Sequence, residues 1–190
     1  TWSGKVLVTG DVTVTELGSL TIQPGTQVIF DPLHDSESGG SDRSRCELIV
    51  AGGLLSVNGT TAAPVLFQSA GLTKQPGDWQ GLRVVEGDVV LKNFVVEHAT
   101  VGLSLEDSDT RFQSYEFANG TVQKCSGSGV KQTASGDRVQ PVTLSGFKIL
   151  SNGGRGVYAG GPMELVDSQV NLNTGGGAHG DTGRELRLTA

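Results

Sequence analysis

The residues best suited to chemistry lie near the end of the chain, where Asn173, Thr174, His179, Asp181 and Arg184 fall within a dozen positions. An amide, a hydroxyl, an imidazole, a carboxylate and a guanidinium set that close together could serve general acid–base hydrolysis. Glycosidic cleavage, however, uses two carboxylates flanking the scissile bond, roughly 5–9.5 Å apart. Asp181 is the only carboxylate of this stretch, and no Asp-Asp pair occurs anywhere in the sequence. Asp167 and Asp181 form the one pair to check; turn residues are the expected role of the cluster. No catalytic residue is assigned, and the residues argue against catalysis more than for it.

Metal chemistry has a separate set of candidates. Asp31, Asp35, Glu37 and Asp42 crowd one polar segment, and Glu106, Asp107 and Asp109 crowd another. Hard carboxylate oxygens in loops suit Ca²⁺, although neither segment has EF-hand spacing, and ordinary solvated acidic loops are the stronger reading. Calcium, held by Asp31, Asp35, Glu37 and Asp42, is the one candidate cofactor. The three histidines share no metal-ligand spacing, and Cys46 and Cys125 form no C-x-x-C pair and no disulfide framework. Glycan recognition favours aromatic rings with a polar tip. Of Trp2, Trp79, Tyr115 and Tyr158, the Gly-Asp-Trp setting of Trp79 reads as packing, which leaves Tyr115 and Tyr158 as candidate glycan contacts. Two N-x-T sequons, at Asn58 and Asn119, read as tight Asn-Gly turns.

What must position these residues is written in a repeat. The chain has 190 residues with 29 glycines, only 5% aromatics, a net charge of −6 and no basic stripe, which argues against nucleic-acid partners. No apolar run is long enough for a membrane span. Short alternating runs recur instead: Val12 and Val14, Leu20 and Ile22, Val28 and Phe30, Leu48 and Val50, Val65 and Phe67. Each ends at Gly, Asn or Pro, with no helix-length gap between them, as strands of a sandwich, barrel or solenoid would. Later segments decide for a solenoid: VEHATVGL (96–103), VQKCSGSGVK (122–131), ILSNGGRGVY (149–158) and VNLNTGGGAH (170–179). Their glycines, Gly102, Gly129, Gly156 and Gly177, recur at 27, 27 and 21 residues, a β-solenoid period. Four residues before each stand His98, Cys125, Asn152 and Asn173, which would stack about 4.8 Å apart on adjacent coils. Stacked asparagines can bond along the stack and tolerate a left-handed turn.

The first half carries a family pattern. The segments GDVTVTELGSLTIQPGTQVIF (10–30), LIVAGGLLSVNGTTAAPVLFQS (48–69) and GDWQGLRV (77–84) resemble the opening coils of pectin-lyase-like β-helix proteins, most closely their surface-protein, adhesin-like branch. The resemblance implies an all-β, single-stranded right-handed parallel β-helix, with members that are lyases, hydrolases, adhesins or scaffold modules. The terminal cluster is similar to the N-T-D and G-H-G motifs of polygalacturonase-like hydrolases of this fold, but Gly175 stands where that pattern has its essential Asp.

One β-helix domain is therefore expected over 1–190, with loop insertions at about 31–47 and 106–116, as a piece of a larger protein or as a chain that pairs end to end with a second copy. The expected function is a non-catalytic, secreted or cell-surface module for adhesion, scaffolding, or glycan or protein binding. Its partners would be a polysaccharide or a cell-surface protein. The alternative is a polysaccharide-active enzyme, hydrolase or lyase, or a degenerate relative.

Overall fold

The computed structural model describes residues 1–107, 114–134, 141–181 and 185–189. Seventeen strands follow one another without a helix among the described residues, so none is long and apolar enough to cross a membrane. The first coil is β1 (Lys5–Val8), β2 (Val12–Thr15) and β3 (Ser19–Ile22). Then come β4 (Gln27–Phe30), the long β5 (Glu47–Asn58), β6 (Val65–Ser69) and β7 (Gly81–Glu97). Further on are β8 (Leu103–Asp107), β9 (Tyr115–Gln123), β10 (Val130–Ala134), β11 (Val142–Ser145) and β12 (Lys148–Leu150). The last are β13 (Val157–Ala159), β14 (Met163–Val166), β15 (Gln169–Asn171), β16 (Ala178–Gly180) and β17 (Leu186–Thr189).

Every pairing is parallel and joins one coil to the next, so the chain winds as a parallel β-helix with three faces. Face one stacks β1, β4, β6, the end of β7, the end of β9, β12 and β15. Face two stacks β2, the starts of β5 and β7, then β8, β10, β13 and β16. Face three stacks β3, the end of β5, the middle of β7, the start of β9, β11, β14 and β17. Period-2 alternation sends one set of side chains inward on each face. On face two this makes the column Leu48, Leu82, Leu103, Val130 and Val157, all essentially without solvent contact. Fully burying each such side chain is worth about 1.5–3 kcal/mol. Trp79 packs as expected: it is fully buried, its ring lies flat on Phe30 at 3.8 Å, and its indole N–H donates to the Glu97 carbonyl.

The corners follow from residues that accept a left-handed backbone. Between faces three and one, Asn93, Asn119, Gly146 and Asp167 all have positive φ, and the strand register places them above one another. Between faces one and two the same conformation recurs at His98, Lys124, Ser151 and Leu172. Each comes just before the ladder position. The asparagine ladder itself is present: Asn152 Nδ2 donates to Asn173 Oδ1 at 2.9 Å, and Asn152 Oδ1 accepts the Cys125 amide at 3.0 Å. Two details differ from the sequence reading. The left-handed residue is the neighbour of the asparagine, not the asparagine, and Ala99 rather than His98 stacks below Cys125, as the bonds Ser126 N to Ala99 O and Gly153 N to Cys125 O show.

The glycine column is a matter of close approach. A Cβ on Gly102 would sit 2.2 Å from Val122 Cγ1, one on Gly129 2.5 Å from Ile149 Cγ2, and one on Gly156 2.3 Å from Val170 Cγ1. Any side chain at those three would push into the strand of the next turn. The acidic segment between β4 and β5 covers 31–46. Glu47 already belongs to β5, Glu106 and Asp107 to β8, and Tyr115 and Glu116 to β9.

Candidate functional site

The outward positions of face two bring together residues that no local motif connects. The pairing of β7 with β8, β8 with β10, β10 with β13 and β13 with β16 sets Arg83, Ser104, Lys131, Tyr158 and His179 in one column. At about 4.8 Å per strand the five residues span about 19 Å along the axis of the solenoid. Beside Arg83, Ser104 and Lys131 a groove of about 200 Å³ opens, with Glu106 on β8 and with Ser41 and Gln80 from the connections that precede β5 and β7.

Arg83 is fixed by a neighbouring carboxylate. Its Nε and Nη2 donate to the two carboxylate oxygens of Glu106 at 2.9 and 2.8 Å, a bidentate pair. That hydrogen bonding raises the pKa of the guanidinium above its ordinary value. Gln80 Nε2 donates to the Ser41 hydroxyl at 3.3 Å across the mouth of the groove. Three coils beyond Arg83, the Tyr158 ring stacks on His179 with 5.9 Å between centroids, and the Arg155 guanidinium lies 5.6 Å from the Tyr158 centroid. The Tyr158 hydroxyl donates to Asp181, which raises the phenol pKa and leaves it protonated at any physiological pH. His179 Nε2 is 3.9 Å from the other Asp181 oxygen.

The two tyrosines are not brought together. Tyr158 lies on the outward column of face two, whereas Tyr115 occupies the inward column of face three, in register with Val89 and stacked on Phe117 at 5.4 Å. It packs half-buried against the core, because the alternation that turns Phe117 inward turns Tyr115 inward two residues earlier. Asp167 and Asp181 stand at different corners of the last coils, one between β14 and β15 and the other between β16 and β17.

The acidic segment 31–46 is organised by its own carboxylates. Asp35, nearly buried, accepts the amides of Asp11, Glu37 and Gly39 at 3.1, 3.0 and 2.9 Å. Asp42 accepts the amide and hydroxyl of Ser44 and pairs with Arg45 at 2.6 Å, and the Ser44 bonds chiefly hold its carboxyl below the usual carboxylate range. Asp31 is an exposed partner of His34 at 3.1 Å. The four candidate calcium ligands are thus not gathered: among the described residues no group of three or more His, Cys, Asp or Glu side chains stands as a metal would require. Of the second acidic set, Glu106 is the partner of Arg83, Asp107 lies in β8, and Asp109 lies outside the described residues, as does Arg184.

Two carboxylates that sequence reasoning passed over sit at the root of this loop. Asp11 Oδ1 accepts the Glu47 amide at 2.7 Å, and burial, with Asp35, Glu47 and Glu37 nearby, raises the Asp11 pKa to about 6. Glu47 is fully buried, and its Oε1 accepts the Ser41 amide and hydroxyl and the Asp42 amide. The cysteines are free and buried. Burial pushes the Cys46 thiol up to about 11 and the Cys125 thiol up to about 12, so neither is a nucleophile at neutral pH.

Three stacked parallel sheets, asparagine- and glycine-lined corners and an outward polar column define a single-chain parallel β-helix domain. Residues 3–100 match the model of the pectate-lyase-like beta helix domain family, and the chain belongs to that family. No curated protein and no solved structure is significantly similar to it.

Proposed function

We propose that this protein is a non-catalytic glycan-binding β-helix domain, displayed outside the cell or at its surface, that lays a polysaccharide along face two. The observation that carries this reading is the column Arg83, Ser104, Lys131, Tyr158 and His179, aligned on a rigid sheet and bordered by the Ser41–Gln80 groove. A row of donors, acceptors and one ring along an extended track suits a long hydroxylated ligand, since a few fixed polar groups set orientation and specificity. Arg83 is held in place by Glu106 and loses little freedom on binding. The non-catalytic reading draws support from how the carboxylates are occupied: Glu106 by Arg83, and Asp35 and Glu47 by loop amides.

The experiment is retention of the protein on immobilised acidic and neutral polysaccharides, with and without Ca²⁺, alongside a search for reducing ends and unsaturated products. Retention without turnover supports the proposal, and no retention on any of them contradicts it. A second reading, a polysaccharide-active enzyme or a relative that has lost activity, draws on one observation. Asp11, with a pKa of about 6 beside Glu47, lies in the range of a general acid. Turnover abolished by Asp11→Asn would favour this reading, and turnover abolished by Asp181→Ala would move the active site to the terminal turn.

A further inference from the structure

Glu47 does not line the groove, yet it touches both of its walls. We propose that Glu47 is the positioning residue of this site: one buried carboxylate that sets the Ser41 wall with one oxygen and the Arg83 guanidinium with the other. The inference rests on the reading of the groove as the binding site.

Burying a charge is costly. A carboxylate with no solvent contact is tolerated only where donors or a cation compensate it. Oε1 of Glu47 is compensated in full, by the Ser41 amide and hydroxyl at 2.6 Å each and the Asp42 amide at 3.0 Å. These bonds fasten the end of the 31–46 loop, and with it the serine that faces Gln80 across the groove. Oε2 has no hydrogen-bond partner, and Arg83 Nη1 lies 3.9 Å from it. The guanidinium therefore stands between two carboxylates, with Nε and Nη2 on Glu106 and Nη1 toward Glu47. Glu106 holds the planar cation by hydrogen bonds on one edge, and the buried Glu47 charge attracts its other edge toward the floor of the groove.

The packing leaves no slack around this anchor. Gly40 has φ +57°, and a Cβ there would lie 2.7 Å from Glu47 Oε1 and 2.7 Å from Asp11 Oδ2. The loop reaches Glu47 only because the residue before Ser41 is a glycine.

The test separates the two oxygens. Glu47→Gln keeps a carbonyl oxygen for Ser41 and Asp42 but removes the charge that faces Arg83. Nitrogen-15 NMR of the full chain reads the Arg83 Nε–H exchange rate with water and the protection of the Ser41 and Asp42 amides. Retention on immobilised alginate (acidic) and xylan (neutral) reads binding. In the variant, the two amides stay protected, Arg83 Nε–H exchange accelerates, and retention of whichever polysaccharide the wild type holds falls about tenfold. An unmoved Arg83 signal with unchanged retention overturns the proposal. Ser41→Ala guards against a misfolded variant, because it deletes one bond to Oε1 and keeps the charge. It should leave the Arg83 signal in place; a shift as large as in Glu47→Gln would assign the positioning to the loop and overturn the role of Glu47. If the Arg83 signal responds to Glu47→Gln while wild type binds neither polysaccharide, the positioning stands and the glycan reading falls.

Discussion

Asn152 Nδ2 and Asn173 Oδ1 meet at 2.9 Å across one coil, and the same Asn173 oxygen accepts the Asn152 amide at 3.0 Å. One side chain thereby satisfies both the main chain and the side chain of its neighbour, while Asn152 in turn satisfies the buried Cys125 amide. The corner between faces one and two closes on these bonds, since its left-handed turn leaves main-chain groups that no sheet bond reaches.

Asn152→Ala should therefore destabilise the domain by about 2–4 kcal/mol, the cost of an unpaired buried amide together with a lost network. Asn173→Ala, at a half-exposed position one coil further along the chain, should cost about 1 kcal/mol. Urea midpoints of the two variants give the comparison; equal losses would mean that burial does not set the worth of a ladder asparagine.

The glycine column predicts a second contrast. In Gly129→Ala the new methyl meets Ile149 Cγ2 at 2.5 Å and the Gly156 carbonyl at 2.9 Å, whereas in Gly177→Ala nothing lies within 4 Å. The first should cost about 2–3 kcal/mol as overpacking and the second less than about 0.5 kcal/mol. Thermal melts of the pair check this.

These two predictions rest on a part of the fold that is plain in the sequence, and the reason is physical. A corner that needs one residue type repeats it at a fixed offset, so Asn152, Asn173 and the glycines advertise their own stacking. His98 misled because its corner is one residue shorter: Ala99 stands three positions before Gly102, while Cys125 stands four before Gly129. The groove was not legible. Arg83, Ser104 and Lys131 are 21 and 27 residues apart and share no motif; only strand register brings them side by side. Glu47 carries no signal of its own in the sequence, because its burial is decided by the loop folding back over it. The inward placement of Tyr115 could have been read from its alternation with Phe117.

Asp11 makes stability depend on pH. Its folded pKa of about 6 lies above the ~3.9 of an unfolded aspartate, so the native state holds the proton more tightly. The contribution is complete below about pH 4 and is lost as pH rises through about 6. Asp11→Asn keeps the acceptor for the Glu47 amide and cannot ionise. Its urea midpoint should change less than that of wild type between pH 4 and pH 7, and parallel profiles would show that Asp11 is not the group responsible.

Cys46 and Cys125 should resist alkylation by iodoacetamide at pH 8 in the native state and react once the protein is unfolded in urea. Their pKa values of about 11 and about 12, together with burial, keep both as thiols. Mass spectrometry of the native protein should show neither residue modified; labelling of Cys125 ahead of unfolding would mean that the corner opens locally.

Binding of a polysaccharide by face two along the Arg83–Tyr158 column is decided by the variant Lys131→Glu. Lys131 is exposed on β10 between Ser104 and Tyr158, so reversing its charge alters the track without disturbing the core. Affinity electrophoresis of wild type and variant through gels holding each polysaccharide is the measurement. Wild type should be retarded by at least one of them, and the variant should bind it about tenfold more weakly, about 1.4 kcal/mol, with an unchanged urea midpoint. Equal retardation of the two proteins would place the ligand on another face, and no retardation of wild type in any gel would rule out glycan binding by face two.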